Sequence, residues 1–138
     1  MSTKLSRFNK NYYFMNLALN QAKIILGNTR ENPAVGCVIV KNNNVVGIGH
    51  TSINGRPHAE QNAINFSKYN KKNATLYSTL EPCSNYGKTP PCVKSIVKKK
   101  IKRVLFSVND PDIRSFKKCK NYLNKAGLKV SQNILIKE

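Results

Sequence analysis

Between Asn11 and Leu26 the apolar residues Phe14, Leu17, Ala18, Ala22, Ile25 and Leu26 recur at three- and four-residue spacing, which predicts a helix. Gly27 and Asn28 supply its stop. Val35 to Lys41 and Val45 to Gly49 are short β-rich runs joined by asparagines, and they predict a hairpin. His58 to Lys68, with Ala59, Ala63, Ile64 and Phe66 apolar, reads as a second helix. A strand follows at Ala74 to Thr79, then a short helix at Cys92 to Lys99 with Val93, Ile96 and Val97 inward. Arg103 to Val108 is a strand, Phe116 to Ala126 a helix ended by Gly127, and Leu128 to Ser131 a last strand. Strands alternating with helices imply parallel pairing with helices on both faces, and the hairpin adds an antiparallel pair. The expectation is one α/β domain over residues 1–138, built on a five-stranded mixed sheet.

Composition sharpens this picture at a few points. Hydrophobic residues make up 40% of the chain, enough for a packed core rather than a disordered segment. The longest apolar run, Val35 to Val40, suits a buried strand and is far shorter than a membrane span. Met1 to Lys10 is polar and lacks the apolar stretch of a secretory signal, so a cytoplasmic location is expected. Lys and Arg number 24 against 6 Asp and Glu, a formal net charge of +18, which invites a nucleic-acid reading. Runs such as Lys71-Lys72-Asn73 and Lys98-Lys99-Lys100 fall where loops or helix ends are expected. Aromatic residues are not interleaved with them, as a stacking platform would require. Non-specific surface charge is therefore favoured over a nucleic-acid partner, and either is compatible with an anionic small substrate.

The four cysteines are Cys37, Cys83, Cys92 and Cys119. Without an export signal they do not suggest a disulfide framework, and metal binding becomes the better reading for any beside a histidine or a second cysteine. His58-Ala59-Glu60 opens one expected helix, while Pro82-Cys83 and Pro91-Cys92 lead to the start of another. One imidazole and two thiolates suit zinc, and three protein ligands leave the fourth tetrahedral position open, the catalytic pattern. A water there has its pKa lowered from about 15.7 to about 7. Glu60, two residues after His58, projects beside the metal without ligating it and can move the protons. A His-x-Glu followed by Pro-Cys and a second cysteine is the signature of zinc deaminases. His58, Cys83 and Cys92 are thus the expected zinc ligands and Glu60 the expected catalytic residue. Cys37, in a buried strand, and Cys119, on a helix, are read as core residues, and His50 as structural.

Several strings then resemble the deaminase domain of bacterial riboflavin-biosynthesis deaminase/reductases. They are Asn32-Pro33-Ala34-Val35-Gly36, His58-Ala59-Glu60, Thr79-Leu80-Glu81-Pro82-Cys83-Ser84, Gly87-Lys88-Thr89-Pro90-Pro91-Cys92 and Asp110-Pro111-Asp112. Eight residues separate Cys83 from Cys92, where nucleoside and RNA deaminases usually have two. The resemblance implies a three-layer α/β/α cytidine-deaminase-like fold. It also implies a reaction, hydrolytic removal of the 2-amino group of a diaminopyrimidinone ribosylamine phosphate as ammonia. Asn32, Ala59, Lys88, Asp110 and Asp112 would then contact substrate. The amide of Asn32 suits a pyrimidinone edge, and Lys88 is a natural partner for the phosphate. Asp110 follows a strand end, where ligands of open α/β sheets gather. Asn85 and Thr51 stand where the family commonly has histidine, and Lys117-Lys118-Cys119 where it commonly has Gly-x-Gly. These departures touch the phosphate site rather than the zinc chemistry. The family's reductase domain has no counterpart in these residues, which reads either as a deaminase-only protein with a separate reductase or as an excised domain; a homo-oligomeric assembly is compatible with both. The alternatives are a tRNA or nucleoside deaminase of the same superfamily and a non-catalytic zinc module. The long cysteine spacing argues against the first, and Glu60 beside an open coordination position against the second.

Overall fold

The computed structural model describes residues 3–82, 92–108 and 113–132, with side chains described for 10–82, 92–107 and 118–132. The chain runs α1 (Thr3–Ile24), β1 (Gly36–Lys41), β2 (Asn44–His50), a 3₁₀ turn (Ile53–Gly55), α2 (Ala59–Asn65), β3 (Thr75–Leu80), α3 (Cys92–Lys98), β4 (Arg103–Val108), α4 (Ile113–Lys125) and β5 (Lys129–Gln132). Its five strands form one sheet in the order β2-β1-β3-β4-β5. β1 is antiparallel to both β2 and β3, and β3, β4 and β5 are parallel. The hairpin turn places Asn42 and Asn43 at φ 51° and 65°, a left-handed conformation that asparagine tolerates and tight two-residue hairpins need.

Side chains alternate across the sheet as strand geometry requires. Val38 and Val40 of β1, Tyr77 of β3 and Leu105 of β4 pack with Phe14, Met15 and Ala18 of α1 on one face. Cys37, Ile39, Leu76, Val104 and Phe106 point the other way, into a core closed by Ala63 of α2, Ile96 of α3 and Leu123 of α4. The result is three layers: α1, the sheet, and the remaining helices. Helix and sheet approach closely at glycines. A Cβ on Gly36 would lie 1.7 Å from the Ala18 carbonyl oxygen, and one on Gly49 would lie 2.7 Å from the Ala63 nitrogen. The second contact seats α2 against β2 and so sets the height of the residues that begin α2.

The element order expected from the pattern is the order observed, with shifted ends. α1 begins at Thr3, eight residues before the expected start at Asn11. Leu5, Phe8 and Tyr12 carry the helical spacing upstream of Met15, a signal hidden among polar neighbours. α2 stops at Asn65 rather than Lys68, because the Ser67 hydroxyl donates to the Val46 carbonyl at 2.6 Å and draws the chain onto β2. α4 starts three residues before its expected start at Phe116. Among the described residues no helix is long and apolar enough to cross a membrane.

Candidate active site

His58 is the N-cap of α2, extended at φ −70° and ψ 163°, so it stands just outside the helix rather than as its first residue. The loop that delivers it, residues 50–57, is fixed by one side chain of α2. The Asn62 amide donates to the His50 carbonyl at 2.8 Å, the Ser52 hydroxyl at 2.8 Å and the Pro57 carbonyl at 3.3 Å. Its own backbone N–H donates to the His58 carbonyl at 3.1 Å. A short polar side chain one turn into a helix thus clamps the segment carrying His58.

Glu60 lies in the first turn of α2 and is only 4% exposed. A first-turn carboxylate is favoured by the unsatisfied N–H groups of the helix start. Glu60 and His58 line a cavity of about 160 Å³ together with Asn32, Thr51, Leu80 and Glu81. The cavity therefore sits past the C-terminal end of β3, against the loop before β1. Buried Cys37 of β1 reports the negative charge there: burial first, and Glu60 second, push its thiol well above the usual range. Cys37 and Cys119 are both fully buried in the core between the sheet and the helices, as expected of core residues.

Cys92 begins α3 and is 5% exposed. Its Sγ stands 3.6 Å from His58 Nδ1. Ligand bonds of about 2.0–2.1 Å to nitrogen and about 2.3 Å to sulfur, at a tetrahedral angle, put two such atoms roughly 3.6 Å apart. The His58 and Cys92 donors therefore fit one zinc ion in both chemistry and spacing. The starts of the two helices are tied to one another by the Ser95 hydroxyl, which donates to Gln61 Oε1 at 3.0 Å.

The wall facing the helix starts is built from the loop before β1. Thr51, 1% exposed, accepts the Val35 N–H at 2.9 Å and donates to the Pro33 carbonyl at 3.0 Å. Asn32 donates from Nδ2 to the Gly55 carbonyl at 2.9 Å, and its backbone carbonyl accepts the Thr29 hydroxyl. That leaves the second N–H and the Oδ1 of the Asn32 amide for other partners. Ala59 is fully buried, its carbonyl packs against Gly49 of β2, and it is not among the residues that line the cavity. His50 Nδ1 lies 2.9 Å from the carbonyl oxygen of its neighbour Thr51, in keeping with a structural role.

The structure thus brings His58, Glu60, Cys92 and Asn32 to one place. Cys83, Lys88, Asp110 and Asp112 lie outside the described residues. Among the described residues no third histidine, cysteine or carboxylate completes a metal cluster with His58 and Cys92. Sequence reasoning gave no role to Thr51, Glu81 or Asn62. Glu81, 4% exposed, shares the cavity with Glu60, and its place in the Thr79-to-Ser84 string was the available signal. Thr51 stands out in the sequence only as a departure from the resembled family, and nothing local marks Asn62; the partners of Thr51, Pro33 and Val35, come from a distant segment.

A buried glutamate at a helix start, beside a histidine and a cysteine spaced for one zinc, in a three-layer α/β/α fold, is the arrangement expected of zinc-dependent deaminases. Residues 8–108 match the cytidine and deoxycytidylate deaminase zinc-binding region, and the chain belongs to that family. It is 46% identical over 123 residues to the riboflavin biosynthesis protein RibD of Bacillus amyloliquefaciens, covering 89% of this chain and 33% of that protein. It is 41% identical over 129 residues to the diaminohydroxyphosphoribosylamino-pyrimidine deaminase of Buchnera aphidicola subsp. Schizaphis graminum, covering 94% of this chain and 88% of that one. Among solved structures, Acinetobacter baumannii RibD superposes with a TM-score of 0.88 at 39% identity, over 92% of this chain and 36% of that one. The chain thus spans about a third of the RibD proteins and most of the Buchnera deaminase.

Proposed function

We propose that this chain hydrolytically deaminates 2,5-diamino-6-(ribosylamino)pyrimidin-4-one 5′-phosphate to the aminouracil ribosylamine phosphate, releasing ammonia in riboflavin biosynthesis. The observation that carries this reading is the 41% identity across 88% of the length of an enzyme named for that deamination. Placement of His58 and Glu60 on one cavity, with Cys92 Sγ 3.6 Å from His58 Nδ1, supports it.

In this reading His58, Cys83 and Cys92 hold zinc. When bound, zinc supplies the Lewis acidity that makes water a nucleophile at neutral pH. The Glu60 carboxylate accepts a proton as water adds to the ring carbon bearing the 2-amino group. It then gives a proton to the adjacent ring nitrogen and moves another to the amine, which leaves as ammonia while the carbon becomes a carbonyl. Burial of Glu60 limits exchange of those protons with bulk water. Asn32 reads the pyrimidinone edge through its remaining N–H and Oδ1. Lys88 takes the phosphate, and Asp110 and Asp112 face the ribose. A reductase would consume the product, and the enzyme works as a homo-oligomer in the cytoplasm.

The test is ammonia release from this substrate, with tRNA, cytidine, deoxycytidylate and guanine alongside. Turnover of the diaminopyrimidine phosphate alone supports the assignment. Turnover of tRNA in its place overturns it and leaves a zinc deaminase of different specificity.

A further inference from the structure

A larger cleft, of about 670 Å³, lies away from the candidate active site, at the C-terminal ends of α2 and α3. Its walls come from segments distant in sequence, residues 64–72 and 98–100. Five lysines, Lys68, Lys72, Lys98, Lys99 and Lys100, are exposed along it. Tyr69 stands among them with 71% of its surface exposed, and Phe66, 61% exposed, flanks the same turn. Tyr69 lies between Lys68 and Lys71 in the sequence, and the fold brings the Lys98–Lys100 run alongside it.

The walls are held in place. The ammonium of buried Lys71 donates to the Ser67 carbonyl at 2.8 Å and the Tyr69 carbonyl at 2.9 Å, which shapes the turn bearing Tyr69. The Lys72 N–H donates to Asn70 Oδ1 at 2.8 Å, and the Asn73 N–H reaches across to the Lys100 carbonyl at 2.8 Å. Burial first, and the neighbouring Lys99 charge second, lower the pKa of Lys71.

Among the described residues, no acidic side chain lines the cleft. Of the 6 in the chain, Glu60 and Glu81 line the candidate active site, and Glu31 precedes Asn32 of the same cavity wall in the sequence. Asp110, Asp112 and Glu138 lie outside the described residues, and none falls in sequence within 61–80 or 92–108. The charge of the chain is thus divided by position, with its carboxylates absent from the segments that build the cleft. A solvated lysine surface needs no such cleft and no exposed aromatic at its centre.

We propose that this cleft binds single-stranded nucleic acid, with phosphates along the five lysines and a base stacked on Tyr69. A phosphate chain meets the row of ammonium groups, and the phenol ring offers the sequence-tolerant stacking surface that single strands use. The deaminase reaction is not involved, so the proposal stands apart from the assigned substrate.

Binding of a dye-labelled oligouridylate of about a dozen nucleotides, followed by fluorescence anisotropy across a potassium chloride series, tests it. Five contacts predict a slope of log affinity against log salt near about −3.5. Lys98→Gln/Lys99→Gln/Lys100→Gln should reduce that slope by about 2. The charge-matched control Lys23→Gln/Lys120→Gln/Lys125→Gln, on α1 and α4, should leave it unchanged. Tyr69→Ala should weaken binding at least about fivefold, and Tyr69→Phe should restore it. Zinc content and thermal melting confirm that each variant is folded. Equal effects of the two triple variants would mean diffuse surface charge and overturn the proposal. So would undiminished binding by Tyr69→Ala with equal competition from polyglutamate, which would indicate an acidic protein partner instead.

Discussion

Replacing Glu60 by glutamine separates proton transfer from everything else this residue does. The side chain keeps its length and shape, and it occupies a site only 4% exposed that lines a cavity of about 160 Å³. Such a cavity holds only a few water molecules, at about 30 Å³ each, so bulk buffer is a poor substitute for the missing base. Loss of general acid–base catalysis is worth about a hundredfold to ten-thousandfold, or roughly 2.7–5.4 kcal/mol in the barrier. Folding stability should hold or rise, because a buried carboxylate is desolvated at some cost and an amide is cheaper to bury. The charge that helps raise the Cys37 pKa also disappears, leaving burial as the main cause. The assay is ammonia release from the diaminopyrimidine phosphate, read beside zinc content by elemental analysis and a thermal melt. Zinc retained, melting unchanged or raised, and turnover down at least about a hundredfold is the expected set. Turnover within about tenfold of the parent, with zinc in place, would refute the assignment of Glu60 as the base. Glu81, the other carboxylate in the cavity, would then be the residue to change next.

Cys92→Ala should remove zinc and activity together, since its Sγ is spaced with His58 Nδ1 for one ion; full zinc occupancy by elemental analysis would disprove its role. Asn62→Ala removes the amide that bridges His50, Ser52 and Pro57, and should lower stability by about 1–3 kcal/mol. It should also weaken zinc retention in a chelator titration, because the loop delivering His58 is freed; unchanged retention would mean that loop is held by other contacts. Lys88→Ala should raise the Michaelis constant by an amount equivalent to about 1–3 kcal/mol with zinc content unchanged, and it should add little further loss on the dephosphorylated substrate.

The sequence pattern served best where packing repeats along one element. Val38, Val40, Cys37 and Ile39 alternate between two cores, and a β-rich run of that length marks a strand from its residue types alone. Turn chemistry was readable as well, since the asparagines after β1 adopt the left-handed turn that the hairpin needs. The end of α2 was hidden because a tertiary hydrogen bond from Ser67 to β2 overrides a local preference for helix. Within the candidate site, His58, Glu60 and Cys92 could be picked out because metal chemistry restricts residue type and spacing. Thr51 and Asn62 could not, because each acts through backbone groups brought near it by the fold. The lysine cleft was hidden for the same reason: its two halves are separated by about 30 residues along the chain and meet only when α2 and α3 lie side by side.

The burial of Cys37 and Cys119 also decides which sulfurs an alkylating reagent can count. Both are fully enclosed, and the Cys37 thiol is held in its unreactive protonated form. In the native state, labelling should therefore read the proposed zinc ligands, Cys83 and Cys92, against a silent background. Cys92 is itself only 5% exposed, so stripping zinc should make it reactive through local opening at the start of α3, while Cys37 and Cys119 wait for global unfolding. The difference between the native and denaturant counts gives a chemical measure of intact fold that needs neither substrate nor metal.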